Sequence, residues 1–127
     1  MKLLLDTHVF LWIVNDGPMS LRARHSFLDQ ENEIYLSAAS YWEISIKVSI
    51  GRLALAENWM EVFDREIAAN STKWLPIKKE HCWELLDLPM IHRDPFDRML
   101  IAQALFEDMT LLSADGNMQE YDVPVIW

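Results

Sequence analysis

Two carboxylates stand at the mouth of an apolar segment in His92-Arg93-Asp94-Pro95-Phe96-Asp97-Arg98-Met99-Leu100-Ile101-Ala102-Gln103-Ala104. Three further acids sit beside apolar runs far away in the chain. Asp6 closes Leu3-Leu4-Leu5, Glu43 lies one helical turn into the segment that begins after Ile34-Tyr35-Leu36, and Asp115 follows Leu111-Leu112-Ser113-Ala114. Carboxylates gathered within a few ångströms repel one another, and some stay protonated at neutral pH unless a cation intervenes. Mg2+ or Mn2+ resolves that repulsion. Both take carboxylate and water oxygens, and Mg2+ usually keeps several waters that substrate phosphates can displace. If the fold gathers these acids, it builds a divalent-metal site.

Each acid also has an ordinary structural reading. Asp6 could cap a helix, although Thr7 beside it could do so equally well and would leave Asp6 free. Glu43 has Lys47 four residues on, a spacing at which such a pair stabilises a helix by roughly 0.2–0.5 kcal/mol. Yet Tyr41, Trp42, Ile44, Ile46 and Val48 leave this stretch little polar surface, and a buried acid needs a partner or a metal. Pro95 at the first helical position puts Asp94 at the N-cap, where it accepts backbone hydrogen bonds. Asp97 is then at the third helical position, from which an acid can reach back to close a capping box. Because Asp94 already occupies the cap, Asp97 takes the metal role and Asp94 the structural one. Asp115 could simply stabilise the turn Asp115-Gly116-Asn117. The joint arrangement of Asp6, Glu43, Asp97 and Asp115, more than any single acid, carries the metal reading.

The remaining reactive side chains add little. His8, His25, His81 and His92 show no paired ligand spacing and there is one cysteine, which disfavours zinc. His8, two residues from Asp6, is a candidate supporting group, and His92 is expected to hydrogen-bond a backbone carbonyl near the helix start. Cys82 lies among Glu80, His81, Trp83 and Glu84, where acids disfavour a thiolate, and it reads as a buried structural cysteine.

Short apolar runs and helical periodicities supply the elements that must position these acids. Lys2 to Asp6 is a continuous apolar run, the pattern of a strand buried on both faces. Thr7 can cap the helix after it, which Asn15-Asp16-Gly17-Pro18 stops. A second helix is expected from Ser20 to about Gln30, a second strand over Glu33–Leu36, and a helix opened by Ser37-Ala38-Ala39-Ser40 that runs to about Ile50 and is ended by Gly51. An amphipathic helix over Asn58–Ala69 precedes a third strand at Trp74–Ile77. The next helix, Lys79–Leu88, stops at Pro89. Asp94 caps a long helix to about Glu107; Thr110–Leu112 is a fourth strand, Asn117–Tyr121 a short helix and Val123–Ile126 a fifth strand. Strands alternating with helices predict α/β architecture, a three-layer α/β/α sandwich around a mostly parallel, short-stranded sheet. Ligands in such sheets bind beyond the carboxyl ends of the strands, where the strand order reverses. Asp6, Glu43, Asp97 and Asp115 can all point into that crevice.

Composition bounds the rest. The 127 residues, 51% of them hydrophobic, suit one domain spanning residues 1–127. Val9-Phe10-Leu11-Trp12-Ile13-Val14 is the longest apolar run, far short of the roughly 20 residues that span a bilayer. No signal peptide is recognised, and with a single cysteine the chain fits a reducing cytoplasm. A net charge of −9 argues against a protein that coats nucleic acid with a basic surface. It leaves room for a nuclease, because bound cations would invert the local charge, and for a basic partner. Six Trp and seven Met hint at an interface, with a core-only role as the alternative.

Taken in order, these residues resemble the PIN-domain ribonucleases, specifically the VapC-type toxins of prokaryotic toxin-antitoxin systems. The resemblance spans essentially the whole chain. It rests on Leu3-Leu4-Leu5-Asp6-Thr7-His8, on Ser37-Ala38-Ala39-Ser40-Tyr41-Trp42-Glu43-Ile44 and on Asp94-Pro95-Phe96-Asp97-Arg98-Met99-Leu100-Ile101-Ala102-Gln103-Ala104. Leu111-Leu112-Ser113-Ala114-Asp115 and Pro124-Val125-Ile126-Trp127 complete it. Asp6, Glu43, Asp97 and Asp115 match the family's acidic quartet, and Ser113 matches a position where the family usually has Thr or Ser. Thr7, His8, Asp94 and Ser113 stand as supporting groups around that quartet. Asp94 is an extra acid found in a subset of the family. The resemblance implies Mg2+- or Mn2+-dependent hydrolysis of RNA, tRNA included, by metal-activated water, with one or two ions. It also implies a basic-tailed VapB-type antitoxin as inhibitor and a homodimer. The helices around Val9–Val14 and Trp42–Trp59 are the expected antitoxin surface. Arg98 is expected to form an exposed salt bridge with Asp94 or a nearby acid, with a phosphate contact as the alternative.

Two competing readings remain. A catalytically silent PIN-like binding module would account for the Trp and Met content and the poor electrostatics for RNA. A phosphoacceptor receiver domain would need paired acids after the first strand and a lysine after the last, and neither is present.

Overall fold

The computed structural model describes residues 1–127. It contains β1 (Lys2–Leu5), α1 (Thr7–Asn15), α2 (Leu21–Leu28), β2 (Glu33–Ser37), α3 (Ala38–Ser49), α4 (Trp59–Ala69), β3 (Lys73–Leu75), α5 (Lys79–Leu86), α6 (Pro95–Glu107), β4 (Thr110–Leu112), α7 (Gly116–Gln119) and β5 (Val125–Ile126). The strands form one sheet in the order β3-β2-β1-β4-β5, and every neighbouring pair is parallel.

The leucine run of β1 is continuous because both faces of the sheet are covered. Leu3 and Leu5 face one core, with Ile34, Leu36, Leu112, Val9 and Phe10 of α1, Ala23 of α2, Ile44 of α3 and Phe63 of α4. Leu4 faces the opposite core, with Leu111, with Leu100, Ile101 and Ala104 of α6, and with Met118 of α7. The expected three-layer sandwich is therefore formed. No helix is long and apolar enough to cross a membrane.

Several boundaries differ from expectation, each for a local reason. The third strand is Lys73–Leu75 because Pro76 has no N–H to continue the ladder, and Pro124 likewise confines β5 to Val125–Ile126. α5 stops at Leu86 because Leu88 precedes Pro89 and is pushed out of the helical region. α2 ends at Leu28, where Asp29 turns extended and its carboxylate accepts the Glu31 amide at 2.9 Å. Thr7 does not cap α1. It is the first helical residue, and its hydroxyl donates to Ser40 Oγ at 2.9 Å, tying α1 to α3. Gly17 follows the left-handed Asp16 that ends α1, and a Cβ there would stand 2.5 Å from Trp12 Cδ1.

The chain builds β1, β2 and β3 outward in one direction and then returns to place β4 and β5 on the other side of β1. The strand order reverses between β1 and β4, so a crevice opens beyond their carboxyl ends. Leu5 and Leu112 are register partners there, which makes Asp6 and Ser113 the next residues on either side of the gap.

Candidate active site

Asp6 leaves β1 with its amide still bonded to Leu112 O at 3.0 Å. Its side chain is buried. Asp6 Oδ2 accepts a 2.7 Å hydrogen bond from Ser113 Oγ, while the buried Oδ1 has no partner. The Ser113 hydroxyl, with its proton committed to Asp6, accepts the Asp115 amide at 3.1 Å. One serine thus fixes an acid from β1 against the loop after β4. Burial raises the Asp6 carboxyl above its ordinary value, opposed by the Ser113 hydrogen bond and the nearby His8, with Asp115 adding to the rise.

Glu43 comes from α3, which Ser37 caps by accepting the Ala39 amide at 3.0 Å and which packs against α1 and α6. Glu43 Oε2 pairs with Lys47 Nζ at 2.7 Å; its buried Oε1 has no partner. The Glu43 hydrogen bond raises the Lys47 ammonium pKa against the opposing effect of burial, and Glu43, Asp94 and Asp97 charges add to the rise. Lys47 therefore lies in the field of the same acids.

α6 begins as its sequence requires. Pro95 is at the first helical position, and Asp94 Oδ1 accepts the Phe96 and Asp97 amides at 2.9 and 3.1 Å. Asp97 is thereby released from capping and turned toward the crevice. Its carboxyl is pushed up to about 8, first by burial and then by the charges of Asp6, Asp94, Glu43 and Asp115. Those four acids are near enough for their charges to act on Asp97. Asp115 is one of them while also capping α7, where its Oδ1 accepts the Asn117 amide at 2.9 Å. The cap engages one Asp115 oxygen, and the Asp115 charge still reaches Asp6 and Asp97.

Asp6 Oδ1 and Glu43 Oε1 are the chain's buried side-chain oxygens or nitrogens left without a hydrogen-bond partner. A buried oxygen left bare costs on the order of 1–3 kcal/mol, more when charged, so two such atoms beside a carboxyl raised to about 8 mark an unbalanced excess of negative charge. The donor set is all oxygen and fits a hard divalent ion. The side chains are near enough to perturb one another, although no three are already closed into a ligand arrangement.

Behind Asp97 lies a network that sequence reasoning missed. His92 Nε2 is 3.4 Å from Asp97 Oδ2 and His92 Nδ1 is 2.8 Å from Tyr121 Oη. Tyr121 Oη accepts Arg98 Nη1 at 3.0 Å and the His92 amide at 3.3 Å, which leaves its proton for His92 Nδ1. That assignment makes Nε2 the protonated nitrogen, donating to Asp97. His92 thus holds an acid and a tyrosine instead of the expected backbone carbonyl. Arg98 makes neither an exposed salt bridge nor a free phosphate contact: it is buried, with Nη1 donating to Pro89 O at 2.8 Å as well as to Tyr121. No local pattern links residues 29 apart, so only the assembled fold reveals Tyr121.

His8 is exposed on α1. With Asp6, Trp12, Ala114 and Asp115 it lines an open cavity of about 290 Å³ beside the carboxylates. Cys82 is exposed rather than buried, because it falls on the solvent face of α5 while His81 faces inward. Trp42, Trp74 and Trp83 are also exposed, along with Met60 and Met90, so core packing does not account for the whole Trp and Met content.

The fold and this site together define the class. Residues 3–124 match the PIN domain family, and the chain belongs to it. Solved structures share the architecture over nearly the full length of both chains. VapBC2 from Rickettsia felis, bound to a DNA fragment from its promoter, aligns with a TM-score of 0.73 at 15% identity, covering 99% of this chain and 98% of that one. FitAcB from Neisseria gonorrhoeae aligns at 0.63 and 21% identity, covering 98% and 96%. VapBC-1 from nontypeable Haemophilus influenzae aligns at 0.63 and 16%, covering 99% and 97%. Among curated proteins, none matches this chain significantly by sequence.

Proposed function

We propose that residues 1–127 form one PIN domain acting as a divalent-metal-dependent endoribonuclease, the toxin of a toxin-antitoxin pair. The observation that carries this is the unbalanced crevice, in which Asp6 and Glu43 each keep a bare buried oxygen beside Asp97, itself raised to about 8. Asp6, Glu43, Asp97 and Asp115 would hold Mg2+ or Mn2+. When bound, such an ion supplies a water of lowered pKa and neutralises charge building on the phosphate being cleaved.

The chain's own residues supply the order. Ser113 fixes Asp6 through Oδ2 and turns Oδ1 to the crevice, and Asp94 frees Asp97 by taking the cap. His92, braced by Tyr121, holds Asp97 Oδ2. Near neutral pH Asp97 holds a proton that an incoming cation must displace, so apparent metal affinity rises with pH until about 8 and then levels. The open cavity bordered by His8 and Trp12 gives RNA access to the carboxylates.

The family membership and the VapBC-type neighbours support a VapB-type antitoxin as partner. A net charge of −9 suits a basic antitoxin tail, and the exposed apolar side chains, Trp42 among them, suit a protein interface and a homodimer. A cytoplasmic setting goes with this role.

Incubation of the purified chain with tRNA and total RNA, with Mg2+, with Mn2+ and with chelator, tests the reading. Cleavage that needs the metal and disappears in Asp97→Asn is expected. Equal cleavage in chelator, or by Asp97→Asn, would overturn the metal-dependent reading, and no cleavage under any of these conditions would leave the silent binding module as the better account.

A further inference from the structure

The crevice contains a cation of the chain's own, and its placement bears on how many metal ions the site can take. Lys47 is one turn along α3 from Glu43, a spacing that puts both side chains on one helix face. Its ammonium lies 2.7 Å from Glu43 Oε2, with the Glu43 side chain 4% exposed and the Lys47 side chain 39% exposed. The lysine therefore reaches inward from the rim and engages one oxygen of a buried acid. The remaining oxygen of that acid, Oε1, is bare, as is Asp6 Oδ1.

Two ions in such a site typically lie about 3.5–4 Å apart and need carboxylates on both sides. On the α3 side the carboxylate is Glu43, and Lys47 already holds half of it. A second divalent ion would need Glu43 Oε2, the oxygen that the Lys47 ammonium already occupies, and two cations on one oxygen repel. Resting on the reading of the crevice as a divalent-cation site, we infer that Lys47 stands in for a second metal ion: its ammonium, paired with Glu43, limits the crevice to one divalent ion per chain. Glu43 is thereby divided, Oε2 to the lysine and Oε1 to the ion. An uncharged side chain at position 47 frees both oxygens and opens the second place.

Counting bound Mn2+ tests this without reference to activity. The full chain, stripped with chelator, is titrated with Mn2+ near neutral pH by calorimetry and by the electron paramagnetic resonance signal of the free ion. One ion per wild-type chain, two in Lys47→Met and one again in Lys47→Arg are expected. Two ions in the wild type, or a single ion in folded Lys47→Met, would overturn the inference. Should Lys47→Met fail to fold, Lys47→Gln, which keeps a polar side chain without the charge, takes its place, with two ions expected and a single ion overturning the inference. A wild type that binds no Mn2+ defeats the metal reading itself, an outcome distinct from a count of two.

Discussion

Two buried polar clusters flank α6, and they are built to opposite rules. On the side of α5, Ser37 Oγ donates to Gln103 Oε1 at 2.6 Å, and Gln103 Nε2 reaches Pro76 O and His81 Nδ1, each at 3.4 Å. His81 Nδ1 also accepts the Lys78 amide at 3.0 Å, which leaves Nε2 to donate to Glu107 Oε2 at 2.8 Å. Lys78 Nζ approaches the same carboxylate at 3.5 Å. Donors and acceptors match, and the His81 hydrogen bond holds the Glu107 carboxyl below its ordinary value. At the carboxyl ends of β1 and β4, by contrast, acids face acids, two oxygens are bare and Asp97 is pushed up to about 8. A satisfied network rigidifies a fold; an unsatisfied one at the sheet's switch point costs stability and is retained where a ligand completes it.

The contrast predicts opposite consequences for substitutions in the two clusters. Asp97→Asn is expected to lower metal-dependent RNA cleavage by about a hundredfold or more, since it removes a ligand from charge stabilisation worth several kcal/mol. The same change should stabilise the metal-free chain. Asp97 has a folded pKa of about 8 against an ordinary 3.8, so its favourable contribution is complete below the ordinary value and is lost as pH rises through 8. Thermal melts of the chelator-treated protein should therefore show Asp97→Asn gaining most over wild type near pH 8 and little near pH 4. A melting difference independent of pH would refute this assignment. Glu107 has the opposite sign. Its lowered pKa gives stability that is present above the ordinary carboxylate value and lost as pH falls through the folded one, so Glu107→Gln should flatten the acid limb of the same curve.

Gln103→Leu is the matching experiment in the closed cluster. It strips the Ser37 hydroxyl of its acceptor in a fully buried position and should cost about 1–3 kcal/mol in denaturant unfolding. Cleavage per folded molecule should change little. Comparable loss of activity at Gln103 and at Asp97 would erase the distinction between the clusters.

Much of this contrast was legible in the sequence, and the part that was not has a common cause. The unbroken Leu3-Leu4-Leu5 run announces a strand covered on both faces, and Asp94-Pro95 announces a helix start that releases Asp97; both signals are local, and the structure follows them. Asp6, Glu43, Asp97 and Asp115 stand out in the sequence by their position beside apolar runs and by the family resemblance, and the charges of the other three, after burial and together with Asp94, raise Asp97. Thr7, read as a cap, instead bonds Ser40 across 33 residues; Arg98, read as exposed, is buried under Tyr121. His81, Gln103 and Glu107 likewise meet only once α5 lies on α6. Polar side chains satisfied by distant partners leave no periodicity or spacing to detect. The Glu43–Lys47 pair, at helical spacing, was visible from the start.

Two smaller effects separate the supports of the open cluster from its acids. Ser113→Ala removes the donor that orients Asp6, and by the usual cost of losing a group that braces a metal-binding carboxylate it should reduce Mn2+ affinity about 10–100-fold. Threonine at that position keeps the hydroxyl and should restore most of the affinity; failure of that rescue would point to a packing role. Asp94→Ala has the smallest expected effect. It deletes the cap of α6 and should cost about 1 kcal/mol, whereas Asp94→Asn, which can still accept the Phe96 and Asp97 amides, should be close to neutral in stability. Both changes remove one of the charges that raise Asp97, so the midpoint of the pH-dependent melting difference at Asp97 should move below 8 in each. Stability loss shared by the two variants would mean that Asp94 acts by charge, and loss confined to Asp94→Ala that it acts by capping the helix that presents Asp97.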